Sequence, residues 1–293
     1  MYLILLSILV PVLSGIYLLV RKEYADRKRL LFVAGSCFIL TGACVTAALC
    51  GPRGFSYTLF HLAGTLPVVF AIDEMSVLFA VVTLIIFLGA GFFSFEYMKP
   101  EQKEKRYYGF YLIVFGVLNA LCFAGNLVTF YLFFEMLTLS SMPLVLHTGS
   151  KEAIMAGLKY LFYSLCGAYM ALFGLYFVSQ NSDSLTFTPG GVLNESAASH
   201  PGLLLVVAMI MILGFSVKAG MFPMHAWLPT AHPVAPAPAS AVLSAVIVKG
   251  GVLAILRVVY YIFGSSFLNG TWVQRTWLVL TLVTVFMGSM LAY

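Results

Sequence analysis

Apolar residues run along this chain in blocks of about eighteen or more, long enough to cross a hydrocarbon core as helices. Nine blocks are readable, at approximately 2–20, 30–50, 74–95, 107–125, 127–147, 153–178, 203–230, 236–262 and 276–293. In the first, the basic residues follow the apolar stretch instead of preceding it, and no small-x-small cleavage site appears. That pattern predicts a retained helix, not a cleavable signal peptide. The blocks together predict an all-α polytopic membrane protein of about nine transmembrane helices.

Composition agrees. The hydrophobic fraction is 61% and the charged fraction 9%, with a mean hydropathy of +1.00, against roughly 25% charged residues in soluble domains. The net charge of +5 is no nucleic-acid signature, because the basic residues lie in loops between apolar blocks. Arg21, Lys22, Arg27, Lys28 and Arg29 follow the first block, Lys99, Lys103, Lys105 and Arg106 the third, and Lys151 the fifth. The alternate loops carry only Arg53 and Arg275. This bias predicts an outside N-terminus and cytoplasmic loops at 21–29 and 99–106, in a multi-pass protein of the cell membrane. Cys37, Cys44, Cys50, Cys122 and Cys166 fall in or beside apolar blocks without a C-x-x-C pair, so they read as buried small hydrophobes and give no metal or iron–sulfur ligand set. No flavin or nicotinamide motif is readable either, and the expected cofactor complement is none. The chain stops at Leu291-Ala292-Tyr293, inside an apolar run. A C-terminally truncated fragment is the expectation.

Against this background three charges stand out. Glu135, Lys218 and Lys249 fall inside apolar blocks, and a charge at bilayer depth costs roughly 2.5 kcal/mol or more, so each is a functional candidate by default. At about 1.5 Å rise per residue, Glu135 lies roughly 12 Å from one end of its block, Lys218 roughly 22 Å and Lys249 roughly 20 Å. All three are central in a core of about 30 Å. Lys159 is shallower, about two turns into the sixth block. Desolvation disfavours a charged lysine and a nearby carboxylate restores it. Two unit charges about 4 Å apart at an effective dielectric of about 20 interact by roughly 4 kcal/mol. A carboxylate that approaches or leaves a buried lysine can thus load or unload a proton. A static ion pair that fixes helix packing is the competing reading.

Five of the twelve prolines, Pro223, Pro229, Pro233, Pro236 and Pro238, fall within sixteen residues just after Lys218. Each removes a backbone donor and clashes with the preceding turn, which predicts a broken seventh helix with Pro223 and Pro229 at the break. Broken backbone at membrane depth is tolerated where it is buried in protein or lines a wet cavity, and it points to a transporter's site. His225 and His232 lie in the same stretch and are candidate proton relays. A metal or haem role would need partners that no other block offers.

These residues carry a resemblance. The run from Val217-Lys218 through Phe222-Pro223-Met224-His225-Ala226-Trp227-Leu228-Pro229 and His232 to Val248-Lys249-Gly250-Gly251 is similar to the antiporter-like subunits of respiratory complex I. Mrp-type cation/proton antiporters and proton-pumping membrane-bound hydrogenases share that family. Phe70-Ala71-Ile72-Asp73-Glu74-Met75-Ser76 resembles its entry into the third helix, Phe133-Phe134-Glu135-Met136 with Pro143 its fifth-helix glutamate motif, and Leu158-Lys159 through Tyr163 its sixth-helix lysine motif. Where this chain has Phe134 the family often has Trp. The resemblance implies that Glu135 and Lys218 form a pair, that Lys249 is a connecting lysine, and that Lys159 is a modulator. It also implies three N-terminal helices over 1–106, a five-helix proton-translocating repeat over 107–262, and the start of an inverted second repeat over 263–293. The implied function is proton translocation by a non-catalytic subunit of a redox-driven oxidoreductase complex of the NADH:quinone or hydrogenase type. The expected partners are other membrane subunits, the lipid bilayer and protons. An Mrp-type Na⁺/H⁺ antiporter subunit and a non-transporting structural membrane anchor are the alternatives.

Overall fold

The computed structural model describes residues 1–21, 26–52, 54–62, 64–101, 103–194 and 199–292. Lys22 and Arg53 of the loop analysis lie outside the described residues. Each predicted block has a helix: α1 (Tyr2–Val20), α2 (Arg27–Leu49), α3 (Glu74–Tyr97), α4 (Glu104–Cys122), α5 (Leu127–Val145), α6 (Lys151–Gln180), α7 (Pro201–Ala219), α8 (Ala237–Phe263) and α9 (Trp272–Ala292). Eight of these are long and apolar enough to cross a membrane; α4, which opens on Glu104, Lys105 and Arg106, is not among them. It is the central post instead. Buried along almost its whole length, it packs against α1, α2, α3 and α5.

Side-chain caps fix where several helices begin. Asp26, Asp73, Asn126 and Ser150 accept from backbone amides of the first turns of α2, α3, α5 and α6, satisfying donors that a helix start leaves free. Between α2 and α3 the hydropathy pattern does not predict what forms: an antiparallel hairpin of β1 (Ser56–Leu62) and β2 (Leu66–Ala71). Its strands are too short to register as an apolar block. It is held from below, with the Gly125 amide donating to the Val69 carbonyl (2.8 Å), the Asn126 side chain to the Pro67 carbonyl (2.7 Å) and the Val69 amide to Thr129 Oγ1 (2.8 Å). The 181–194 loop joins the same end, where Val192 donates to the Ile262 carbonyl at 2.9 Å. At the opposite end Arg27 grips Glu104 (2.8 Å), tying the chain entering α2 to the start of α4. The poorly charged loops thus gather at one end and the basic ones at the other.

Three of the five cysteines, Cys37, Cys44 and Cys122, are buried; Cys50 and Cys166 are exposed. The buried-hydrophobe reading fails for those two, because each lies on the outward side of its element.

Candidate functional site

The break in the seventh helix comes earlier than its prolines. Helix α7 stops at Ala219, and Gly220 takes a left-handed conformation (φ +77°) while the Met221 amide returns to the Ser216 carbonyl (3.1 Å). This is a glycine stop, with φ > 0 at no steric cost. The chain then turns through Pro223, makes one short helical turn at Leu228–Ala231, and starts α8 after Pro236. The single apolar block predicted at 203–230 is therefore a nineteen-residue helix followed by irregular backbone. Lys218 stands in the last turn of α7, where unpaired carbonyls favour a cation.

Close helix crossings aim it. A Cβ built on Gly167 of α6 would lie 2.4 Å from the Gly214 carbonyl oxygen, and one on Gly214 2.5 Å from that of Gly167. The two backbones touch, four residues before Lys218. On the other flank a Cβ on Gly251 of α8 would lie 2.5 Å from the Ala219 amide. Held between them, Lys218 is 1% exposed and donates to Thr138 Oγ1 of α5 at 2.5 Å. Thr138 lies about 17 Å along α5, near its middle. The ammonium lies 4.6 Å from the centroid of Phe134 and 5.8 Å from that of Tyr160, an arrangement that ring quadrupoles favour.

Glu135 lies one turn from Thr138 on α5. Among the described residues it forms no direct ion pair with Lys218: the ammonium donates to Thr138, and Glu135 Oε1 is buried with no hydrogen-bond partner. Around them lies a hydroxyl cluster that the charge-based reading missed. Tyr160 Oη and Ser141 Oγ are 2.8 Å apart, the Tyr160 ring packs on Trp227 (4.8 Å), and Trp227 Nε1 donates to the Val217 carbonyl (2.9 Å). Thr138, Ser140 and Ser141 in an otherwise apolar block were the available signal. Trp227 fastens the broken segment back onto the last turn of α7.

The other named residues are elsewhere. Lys159 is half-buried and lines a cavity of about 600 Å³ with Glu152, Pro229, Thr230 and Pro233; its neighbour Tyr160, not Lys159, reaches Lys218. Lys249 is exposed on α8, donates to the Ser244 carbonyl (2.9 Å) across a π-helical turn at Leu243–Ile247, and borders an apolar cavity of about 230 Å³ beside Thr83 and Cys122. Such turns recur at functional sites. His232 Nδ1 pairs with Ser240 Oγ (2.8 Å), whereas His225 stacks on Phe222 (5.5 Å) with Nδ1 buried and unpartnered. Pro223 and Pro229 are exposed in the irregular segment. The structure thus gathers Thr138, Phe134 and Tyr160 around Lys218, with Glu135 one turn from Thr138.

One further buried charge escaped the apolar-block reading. Arg257 of α8 is 1% exposed and pairs with both carboxylate oxygens of Asp73, one at 2.9 Å, while Phe187 and Tyr261 flank its guanidinium at 4.7 and 4.9 Å. Burial pushes the Asp73 carboxyl up, but the Arg257 guanidinium beside it prevails and holds it below the usual carboxylate range.

A family model described as "NADH:quinone oxidoreductase/Mrp antiporter, TM" matches residues 124–293, the stretch that holds Glu135 and Lys218. The chain belongs to this family. It is 34% identical over 202 residues to hydrogenase-4 component B of Escherichia coli (strain K12), covering 68% of this chain and 30% of that protein. With a Na(+)/H(+) antiporter subunit of Bacillus subtilis (strain 168) it is 29% identical over 264 residues, 89% of this chain and 53% of that one. Two solved structures share the fold. A subunit of the archaeal membrane-bound sulfane sulfur reductase matches with TM-score 0.74 at 20% identity, over 87% of this chain and 52% of its own. The Mrp complex from Dietzia sp. DQ12-45-1b matches with TM-score 0.71 at 23% identity, over 87% and 48%. The chain spans about half the length of these proteins or less. It is a multi-pass, all-α membrane protein of the antiporter-like family.

Proposed function

We propose that the chain serves proton translocation as an antiporter-like subunit of a redox-driven membrane complex, and that Lys218 is the group that takes up and releases the proton. The observation that carries this reading is a fully buried ammonium bonded to Thr138, one helical turn from the unpaired carboxylate oxygen of Glu135. Thr138 and Glu135, three residues apart on α5, share a helix face and offer the lysine two acceptors. Leaving Thr138 for Glu135 brings opposite charges together and stabilises the ammonium by about 4 kcal/mol at a 4 Å separation and an effective dielectric of about 20. Moving back removes that term and frees the proton. Lys249 with His232 is the onward station, Lys159 faces the basic end and modulates entry, and His225 is a secondary relay. The basic end is the cytoplasmic one.

Exchange of a cation for the proton is the second reading, favoured by the likeness to the Bacillus subtilis Na(+)/H(+) antiporter subunit over 89% of the chain. Both are tested in sealed vesicles holding the complete complex, with proton uptake followed by a pH-sensitive dye with and without Na⁺. Lys218→Ala is expected to abolish uptake while the complex still assembles, since alanine holds no proton and its introduction relieves a buried charge. Uptake that requires Na⁺ on the opposite side selects the exchange reading. Wild-type uptake in Lys218→Ala leaves the chain as a structural anchor.

A further inference from the structure

At the basic end, Arg21, Lys28 and Arg29 close a cleft of about 520 Å³ whose remaining described walls are Phe32 and Val33 of α2. No acidic side chain is among those described walls. Of the acids beside it in sequence, Asp26 is turned into the cap of α2, and Glu23 lies outside the described residues. Elsewhere on this end Arg27 is held by Glu104 and Lys99 lies 3.6 Å from Glu96, while Arg21 itself donates to Tyr17 Oη. Lys105 donates to the Arg21 carbonyl and brings a fourth positive charge to the rim.

The spacing matters more than the count. Lys28 stands four residues before Phe32, and Arg29 four before Val33, so each cation lies on the same helix face as an apolar residue one turn deeper. Phe32 is 75% exposed, and the same outward stripe continues through Ile39 and Leu40. One helical turn is about 5.4 Å, which sets a cationic rim directly above a lipid-facing apolar stripe. A free anion would use the rim alone; a phospholipid uses both.

We propose that this cleft binds the phosphate headgroup of an anionic phospholipid, with one acyl chain lying along Phe32, Ile39 and Leu40. The probe is a nanodisc of equal parts phosphatidylglycerol and phosphatidylcholine holding the full chain, with retained lipid counted by native mass spectrometry. Phosphatidylglycerol is expected to be retained over phosphatidylcholine. Lys28→Gln/Arg29→Gln should reduce that preference by roughly fivefold for each cation removed. Phe32→Gln, which alters no charge, should also reduce it. Lys99→Gln/Lys103→Gln, which removes two cations of the same end outside the cleft, should leave it unchanged. Inorganic phosphate in excess should fail to displace the lipid. Equal retention of both lipids, an undiminished preference in Lys28→Gln/Arg29→Gln, an equal loss in Lys99→Gln/Lys103→Gln, or full displacement by phosphate would each overturn the assignment.

Discussion

Lys218 owes its place to its neighbours' chemistry more than to its own charge. An ammonium removed from water keeps its charge only where donors find acceptors, and Thr138 supplies one at 2.5 Å while Phe134 and Tyr160 offer ring faces. The hydroxyl makes one of the two states of the proposed switch. A hydrogen bond to a charged group contributes about 1.5–3 kcal/mol, so Thr138→Val, equal in shape but without the acceptor, should slow proton uptake by about tenfold or more. Thr138→Ser restores the oxygen and should run near the wild-type rate. Uptake by the valine variant at the wild-type rate would remove Thr138 from the cycle and leave it as packing.

At the scale of elements, the broken helix is held from three sides. The Gly167–Gly214 contact seats α7 on α6, Gly251 seats α8 on α7, and Trp227 pins the irregular segment to the Val217 carbonyl. At the opposite end α8 is tied to α3 by the Arg257–Asp73 pair. Removing one partner of a buried pair strands the other, at about 3–5 kcal/mol. Asp73→Asn should accordingly lower stability by about 3 kcal/mol near neutral pH, read as the unfolding temperature of the detergent-solubilised protein. The pH dependence has a definite sign. The folded carboxyl lies below its ordinary value of 3.8, so its contribution is complete above that value and is lost as the pH falls through the depressed one. Wild type should therefore converge on Asp73→Asn in strong acid. A constant gap between the two down to the acid limit would show that the pair is not the tie.

For the whole molecule, the hydropathy blocks located helices α1 to α9 to within a few residues, save the end of α7, which stops eleven residues before its block does, because burial in lipid demands long apolar runs and leaves little freedom in reading them. Glu135 and Lys218 were legible for the same reason: a charge stands out where charges are costly. The hairpin, the Arg257–Asp73 pair and the hydroxyl cluster were not. Their residues are short-range, lie near block ends, or are uncharged, and only the tertiary crossing at Gly167 and Gly214 brings Tyr160 and Thr138 around Lys218. The Thr138 hydroxyl that holds Lys218 was hidden on a similar point, since charge alone could not announce an acceptor on the adjacent turn. The central claim is that these two residues act as one unit, and a double-mutant cycle tests it most directly. Proton uptake by the complete complex is measured for Glu135→Gln, Lys218→Ala and the pair, with Glu135→Asp as the conservative control. A coupled pair predicts that each single variant loses most of the uptake, that the double variant is no worse than either, and that Glu135→Asp keeps a part. Independent, multiplying losses, or full uptake in Glu135→Gln, would contradict the account.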